Sequence, residues 1–361
     1  WKNYLRILHE PVTVVLGNRS SVYAPVNNLG VIALWDSADE SFTEPLAPYA
    51  HPRDVALLRQ STTGCSLVFA AHVPSIATVR LETLDYVTSH TVGTQPQTLI
   101  ATDILSQVDD DSRTSRIPPA ALLAARAAIA SGPVLIQVAR PGFASTLKCA
   151  NCRTKASCTS CHGPLSLKTK NAVASCRWCG KLEPAFSCSS CHSSVLVAGQ
   201  AGSEKTAEDL ARAFPGIVVH FSDAEKKTHE ISASPALVIA TAGTEPIAEG
   251  GYSAVLMLDG ESARSREDLD TDTTALRTWM NAAELAAPGA SVYVAGTGRT
   301  LGEVVEQGQF AEFSQHTLHE RETLGLPPTT RVAVLTGSRA AISDVETALV
   351  SIPHRSVLGP V

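Results

Sequence analysis

Short runs of β-branched and aliphatic residues alternate along the chain with longer stretches whose apolar positions recur at helical spacing. The runs at 12–16, 31–35, 66–70, 134–138, 217–220, 236–240, 254–258 and 291–295 are nearly continuous in apolar residues. That is the pattern of strands covered on both faces of a parallel sheet. The amphipathic stretches at 118–131, 204–214, 270–286 and 301–313 fall between these runs, as the crossover helices of a parallel sheet must. The pattern predicts an α/β protein with doubly wound sheets, two in number. A polar, acidic loop at 103–117, containing Asp109-Asp110-Asp111, separates the first strands from the second group and sets an expected lobe border.

The length of 361 residues leads to two or three domains, at roughly 100–200 residues each. No apolar run approaches the ~20 residues of a membrane span, so no membrane association is expected. The chain starts at Trp1 without a signal-peptide pattern and stops abruptly at Leu358-Gly359-Pro360-Val361, so it reads as an internal fragment of a longer protein.

Cysteine placement changes the picture most. Eight of the nine cysteines lie between Cys149 and Cys191, as four Cys-x-x-Cys pairs: Cys149/Cys152, Cys158/Cys161, Cys176/Cys179 and Cys188/Cys191. Two residues between cysteines allow a tight turn that points both thiolates at one ion, and two such knuckles complete the tetrahedral shell of structural zinc. Four knuckles predict two zinc ions. With sulfur at every ligand position no place is left for water or substrate, so the ions are expected to fold the segment and not to catalyse. This spacing differs from a disulfide framework spread along a secreted chain, and points to the reducing cytoplasm. Sequential, interleaved and nested pairings of the knuckles all satisfy the count. The stretch between Cys161 and Cys176 is hairpin-sized and could close one site from the two inner knuckles, and nesting would also bring together the points where an inserted segment leaves and rejoins its lobe. The segment is such an insertion, lying between the strand that ends at Val138 and the one near Val195.

Net charge is −6, which excludes a uniformly basic nucleic-acid coat. The cysteine segment nevertheless carries seven basic residues (Lys148, Arg153, Lys155, Lys168, Lys170, Arg177 and Lys181) against Glu183 alone. One patch is therefore expected to face a polyanion while the acidic remainder does not.

These residues resemble the primosomal replication restart helicases, two-lobed superfamily 2 DNA helicases with an eight-cysteine insertion in the second lobe. The four knuckles are the most specific match. Gly17-Asn18-Arg19-Ser20, Pro25, Asn28-Leu29-Gly30-Val31-Ile32 and Arg140-Pro141-Gly142-Phe143-Ala144 match before them. Gly202-Ser203-Glu204, Phe214-Pro215-Gly216, Glu320-Arg321-Glu322 and Leu326-Pro327-Pro328 match after them. The resemblance implies two RecA-like doubly wound lobes, the two-zinc insertion, and the start of an α/β C-terminal domain. It places the end of the first lobe at 1–115, the second lobe at 116–147 and 193–327, the zinc insertion at 148–192 and the C-terminal domain from 328 to 361. It also implies nested pairing: Cys149, Cys152, Cys188 and Cys191 on one zinc, and Cys158, Cys161, Cys176 and Cys179 on the other. The family's ATP-binding loop and N-terminal DNA-binding region would precede this fragment.

The motor motifs of such helicases are degenerate here. An acidic pair that holds magnesium and orients the attacking water is needed after the strand ending at Trp35, where this chain has Asp36-Ser37. Asp36 could still touch a metal, but Ser37 cannot activate water as a glutamate does. Ala70-Ala71-His72-Val73 replaces the family's coupling motif, and Asn281-Ala282-Ala283-Glu284-Leu285 holds no arginine where arginine fingers are expected. Such an arginine is worth ~10³ or more in rate. This degeneration resembles the actinobacterial branch of the family.

Other stretches read as ordinary structure. Gly202-Ser203-Glu204-Lys205-Thr206 is a helix start capped by Ser203, and Gly296-Thr297-Gly298-Arg299-Thr300 is a strand-to-helix turn. His72 and Cys65 are core or satisfied residues, and Asp109–Asp111 form a solvated loop. Trp178, beside Arg177, either stacks on a base or partner, at roughly 1–3 kcal/mol, or packs across the zinc sites. Lys168, Lys170, Arg177 and Trp178 are the expected DNA or partner surface.

The combined reading is a monomeric replication-restart factor that binds forked or single-stranded DNA and recruits primosome and replisome proteins. Its helicase-derived scaffold would lack ATP hydrolysis, and ATP and magnesium would be marginal cofactors beside two zincs. The competing readings are an active ATP-driven 3′-to-5′ helicase and a zinc-ribbon interaction module unrelated to DNA.

Overall fold

The computed structural model describes residues 1–12, 14–44, 50–93, 98–102, 117–138, 147–152, 154–167, 173–176, 179–198, 213–258, 260–264, 268–333 and 337–349. The N-terminal part opens with helix α1 (Lys2–His9) and builds a parallel pair from β1 (Val31–Trp35) and β2 (Ser66–Ala70), in register from Val31 opposite Ser66 to Trp35 opposite Ala70. Helix α2 (Pro52–Thr63) makes the crossover. His51 caps its start, Pro52 supplies the preset φ of a first turn, and Gly64 ends it at φ 72, the left-handed stop that glycine adopts at low cost. Ile32 and Leu34 alternate into a small core with Val22, Ala56 and Cys65. Only one face of this pair is covered. Val31, Trp35 and Val68 on the other are exposed, so β1 alternates where a strand buried on both faces was expected.

The larger body is built from β3 (Thr98–Thr102), β4 (Val134–Val138), β10 (Val218–Ser222), β12 (Ala236–Thr241), β14 (Tyr252–Met257) and β15 (Ala286–Ala295). Strands β5 to β9 belong to the cysteine segment, and β11 (Glu230–Ile231) and β13 (Ile247–Ala248) make a short parallel pair of their own. The six strands form one sheet in the order β10-β12-β4-β14-β15-β3, parallel throughout. β4 and β12 are buried at every position, as strands between two helical layers are. Leu135, Val238, Val255 and Val292 point to one face, against α5 (Thr271–Ala283) and α6 (Gly298–Gln307). Val134, Ile136, Leu237 and Leu256 point to the other, against α4 (Pro119–Ala128) and Phe214. This mixed α/β architecture, with its two cysteine clusters, is consistent with RecA-like lobes.

Several elements differ from expectation. The described residues of the run at 12–16 are in no strand, and Val14 and Leu16 are exposed; among the described residues no strand lies alongside to take their backbone hydrogen bonds. The helix expected at 301–313 is two helices, α6 and α7 (Phe310–Leu324), divided where Gly308 turns left-handed at φ 66. β3 carries no strong periodicity, yet it pairs with β15 from Ser291 opposite Thr98 to Ala295 opposite Thr102. The six-stranded sheet therefore takes an edge strand from the N-terminal side of residue 115, the border expected between the lobes. Helix α3 (Ile76–Thr83) also packs toward that body, Ile76 and Val79 meeting Leu318 of α7. The expected features at 103–116, 140–144 and 202–206, together with most of the helix expected at 204–214, lie outside the described residues. Helix α8 (Arg339–Leu349) ends the described chain.

Candidate zinc centres and the Asp36 site

The cysteine segment folds on short antiparallel strands. β5 (Leu147–Cys149) pairs with β9 (Leu196–Ala198), Lys148 opposite Val197, which joins the two ends of the insertion. Inside, β6 (Leu165–Ser166), β7 (Ala174–Cys176) and β8 (Leu182–Glu183) form a three-stranded sheet with Leu165 opposite Cys176, the hairpin expected between Cys161 and Cys176. Its buried core is Leu147, Ala156, Cys158, Leu165, Ala174 and Cys176. A core this small does not hold a fold without a staple.

The sulfurs supply a place for one. Cys149, Cys152, Cys188 and Cys191 form one cluster and Cys158, Cys161, Cys176 and Cys179 another, with all Sγ atoms of a cluster within 4.8 Å of one another. Cys149 and Cys191 are 3.5 Å apart, Cys152 and Cys188 3.4 Å, Cys161 and Cys176 3.3 Å, and Cys158 and Cys179 3.8 Å. Tetrahedral bonds of about 2.3 Å require sulfurs roughly 3.8 Å apart, so both clusters could hold zinc. The grouping is nested, outer knuckles together and inner knuckles together.

Local sequence explains the knuckles. In the three knuckles where it is described, the residue after the second cysteine turns left-handed, at His162 (φ 59), Gly180 (φ 72) and His192 (φ 60). Their N–H groups donate to the carbonyls of Cys158 (3.1 Å), Cys176 (3.1 Å) and Cys188 (2.9 Å). Ser160 N donates to Cys158 Sγ at 3.3 Å and Ser190 N to Cys188 Sγ at 3.4 Å. Hydrogen bonds of this kind orient ligand sulfurs and favour their charged form. Thr154, through its hydroxyl and its N–H, draws the Cys152 thiol down to about 6.

The lone acidic residue of the segment supports the inner cluster. Glu183 Oε1 accepts from Thr159 Oγ1 (2.6 Å) and Thr159 N (3.0 Å), and lies 3.6 Å from Cys158 Sγ. The two Thr159 bonds, followed by the Lys181 charge, hold the Glu183 carboxyl down to about 2. Lys181 Nζ donates to Thr159 Oγ1 at 2.7 Å and Ser160 Oγ at 2.8 Å. Its charge is thus used inside the module. Lys168, Lys170, Arg177 and Trp178 lie outside the described residues.

The Asp36-Ser37 position, read from the sequence as a worn motor motif, is a different kind of site. After β1 the chain turns through Asp36 at φ 52, and its N–H donates to Ala70 O of β2 at 2.7 Å. Asp36 and Ser37 are buried. Asp36 Oδ2 accepts from Arg277 Nη1 at 2.6 Å and from Asn281 Nδ2 at 2.8 Å, both on α5. Arg277 Nη1 also reaches Asp39 Oδ2 at 3.1 Å. Burial raises the Asp39 carboxyl, but hydrogen bonds from Ser41 and the charge of Arg277 outweigh it and leave it below the ordinary range. Magnesium needs oxygen ligands at ~2.0–2.1 Å in octahedral array. Asp36 Oδ2 already faces a guanidinium and an amide, and Asp39 Oδ2 faces the same guanidinium, which does not fit that requirement. Asp36 Oδ1, Arg277 Nε and Asn281 Oδ1 are buried without a hydrogen-bond partner among the described residues.

Arg277 was not legible as a site residue. The stretch 281–285 holds no arginine, but Arg277 stands one helical turn before Asn281, on the same face of α5. Its only signal was the i,i+4 spacing. His72, expected to be satisfied, faces Glu284 Oε1 at 3.8 Å and meets Trp35 edge-on at 5.2 Å. Cys65 is in the core.

No protein-family model matches the chain. Among curated proteins it is similar to the "Probable replication restart protein PriA" of Mycobacterium bovis, 36% identical over 380 residues, covering 100% of this chain and 58% of that protein. The protein of the same name from Mycobacterium leprae is 36% identical over 375 residues, again across 100% of this chain and 58% of its own length. "Replication restart protein PriA" of Rickettsia conorii is 24% identical over 383 residues, with 98% of this chain and 59% of that protein covered. The chain therefore spans 58% of the length of the mycobacterial relatives it matches. Among the described residues no helix is long and apolar enough to cross a membrane.

Proposed function

We propose, for a chain that belongs along its whole length to the PriA replication restart protein family, that the protein containing it acts in replication restart by binding forked or single-stranded DNA and recruiting primosome proteins, without hydrolysing ATP. The observation that carries this reading is the bonding of Asp36. The carboxylate that an active motor would direct at a metal ion accepts instead from Arg277 and Asn281, and the residue after it is Ser37. Positioning a water and neutralising phosphate charge are separate requirements of phosphoryl transfer, and at the positions the resemblance implies for them stand Ser37 and the arginine-free stretch 281–285. This disfavours the active-helicase reading. Two zincs in the nested cysteine clusters would hold the basic insertion in shape, and Lys168, Lys170, Arg177 and Trp178 would face DNA or a partner.

The test is phosphate release by zinc-loaded full-length protein with forked DNA and magnesium, beside a fork-binding titration on the same sample. Tight fork binding with no DNA-stimulated hydrolysis is expected. Turnover of about 1 s⁻¹ or more, within the ordinary enzyme range, that vanishes on Asp36→Ala would restore the motor.

A further inference from the structure

The bonds at Asp36 join two parts of the molecule with separate apolar cores, one around β1 and one around the six-stranded sheet. α5 turns Leu276, Trp279, Met280 and Ala283 into the main core, while Arg277 and Asn281 meet the turn after β1. Around them the same two parts touch through other groups. Val73 is buried at 1% exposure in the main core. Ser314 Oγ of α7 donates to Pro74 O at 3.0 Å, and Ile76 and Val79 pack on Leu318.

We infer that Arg277 and Asn281 form a built-in clasp, in which a guanidinium supplied by the chain itself sits on Asp36 and holds the β1–β2 part in one register against the second-lobe sheet whether or not nucleotide is present. A cleft that cycles with nucleotide must leave its carboxylate free for an exchangeable cation in one state and hydrated in another. Here the counter-charge is covalently tethered, so it cannot be washed out or titrated by ligand concentration. The ion pair itself adds little net stability, since both charges regain water when the parts separate. What it adds is geometry. A buried carboxylate accepting from two donors one helical turn apart tolerates little sliding, and the apolar packing of Val73, Ile76, Val79 and Leu318 supplies the adhesion. The inference rests on the reading that the scaffold has stopped hydrolysing ATP, and gives that reading a structural consequence: a fixed platform instead of a moving pair of lobes.

The experiment measures the distance between nitroxides carried by non-cysteine unnatural residues at Leu58 of α2 and Leu123 of α4, both 65% exposed, in full-length protein. The expected result is one narrow distance distribution, unchanged by saturating magnesium and ATP. Arg277→Ala should broaden it, while Arg277→Lys should keep it narrow. If Arg277→Ala does not fold, Asn281→Ala, which leaves the charge pair in place, should still broaden it measurably. A wild-type distribution that moves with nucleotide, or Arg277→Ala and Asn281→Ala proteins as narrow as wild type, would overturn the clasp. Phosphate release recorded on the same samples separates the two ideas: hydrolysis at a fixed distance rejects only the non-hydrolytic reading, and movement without hydrolysis rejects only the clasp.

Discussion

Arg277 and Asp36 lie 241 residues apart in sequence and meet with Nη1 2.6 Å from Oδ2, both side chains less than a tenth exposed. Removing one partner of such a pair leaves a buried charge unpaired, which costs about 3–5 kcal/mol. Arg277→Ala is therefore expected to be destabilising on that scale, and Asp36→Ala less so, because Arg277 Nη1 keeps Asp39 Oδ2 at 3.1 Å. The double variant should be far less destabilised than the sum of the two. Urea unfolding of the four proteins checks this. Additive losses would mean that the two groups do not act on each other.

The nested clusters predict which cysteines share an ion. Cys158→Ser and Cys179→Ser should each lose the same zinc, leaving about one per chain, and combining them should lose no more. Cys158→Ser with Cys188→Ser should lose both. Metal content by mass spectrometry of the native protein decides between this and sequential pairing. A strong chelator should unfold the module, since metal affinity there is folding free energy, while the six-stranded sheet, with its own apolar core, keeps its circular dichroism signal.

Glu183 orients the inner knuckle through Thr159. Hydrogen bonds that support a metal ligand from outside are worth about 10–100-fold in metal affinity, so Glu183→Ala should weaken one zinc by that factor and leave the other unchanged. The pH dependence has a definite sign. A carboxyl held down to about 2, below its usual 4.5, contributes its full stabilisation above the usual value and loses it only as pH falls toward 2. The affinity deficit of Glu183→Ala should thus be the same at pH 7.5 and pH 6, and zinc lost on milder acidification comes from protonation of thiolates. A deficit that disappears by pH 6 would contradict this.

Fork binding tests the proposed basic surface. Reversing Lys168, Lys170 and Arg177 together should weaken binding and lower the salt slope, by nearly one unit for each duplex phosphate that is no longer neutralised. An unchanged slope with loss of a protein partner would make the surface a protein interface.

What the sequence determined by itself was the chemistry that depends on short spacing. Two residues between cysteines oblige a tight turn, so four knuckles and two four-sulfur sites were readable from Cys149 to Cys191, and the apolar runs at 31–35, 66–70 and 134–138 became β1, β2 and β4 with the same bounds, because short runs of β-branched and aliphatic residues favour extended backbone, although of the three only β4 is buried at every position. Tertiary structure decided what depends on distant partners. β3 is a strand because β15 offers it an edge, whereas the described residues of the apolar run at 12–16 are in no strand, no neighbour among the described residues offering one. Asp36 could be read as half of a worn motif, but its arginine could not. The i,i+4 spacing to Asn281 places Arg277 on one helix face with it but does not name their partner; only the packing of α5 against the turn after β1 brings the guanidinium to a carboxylate.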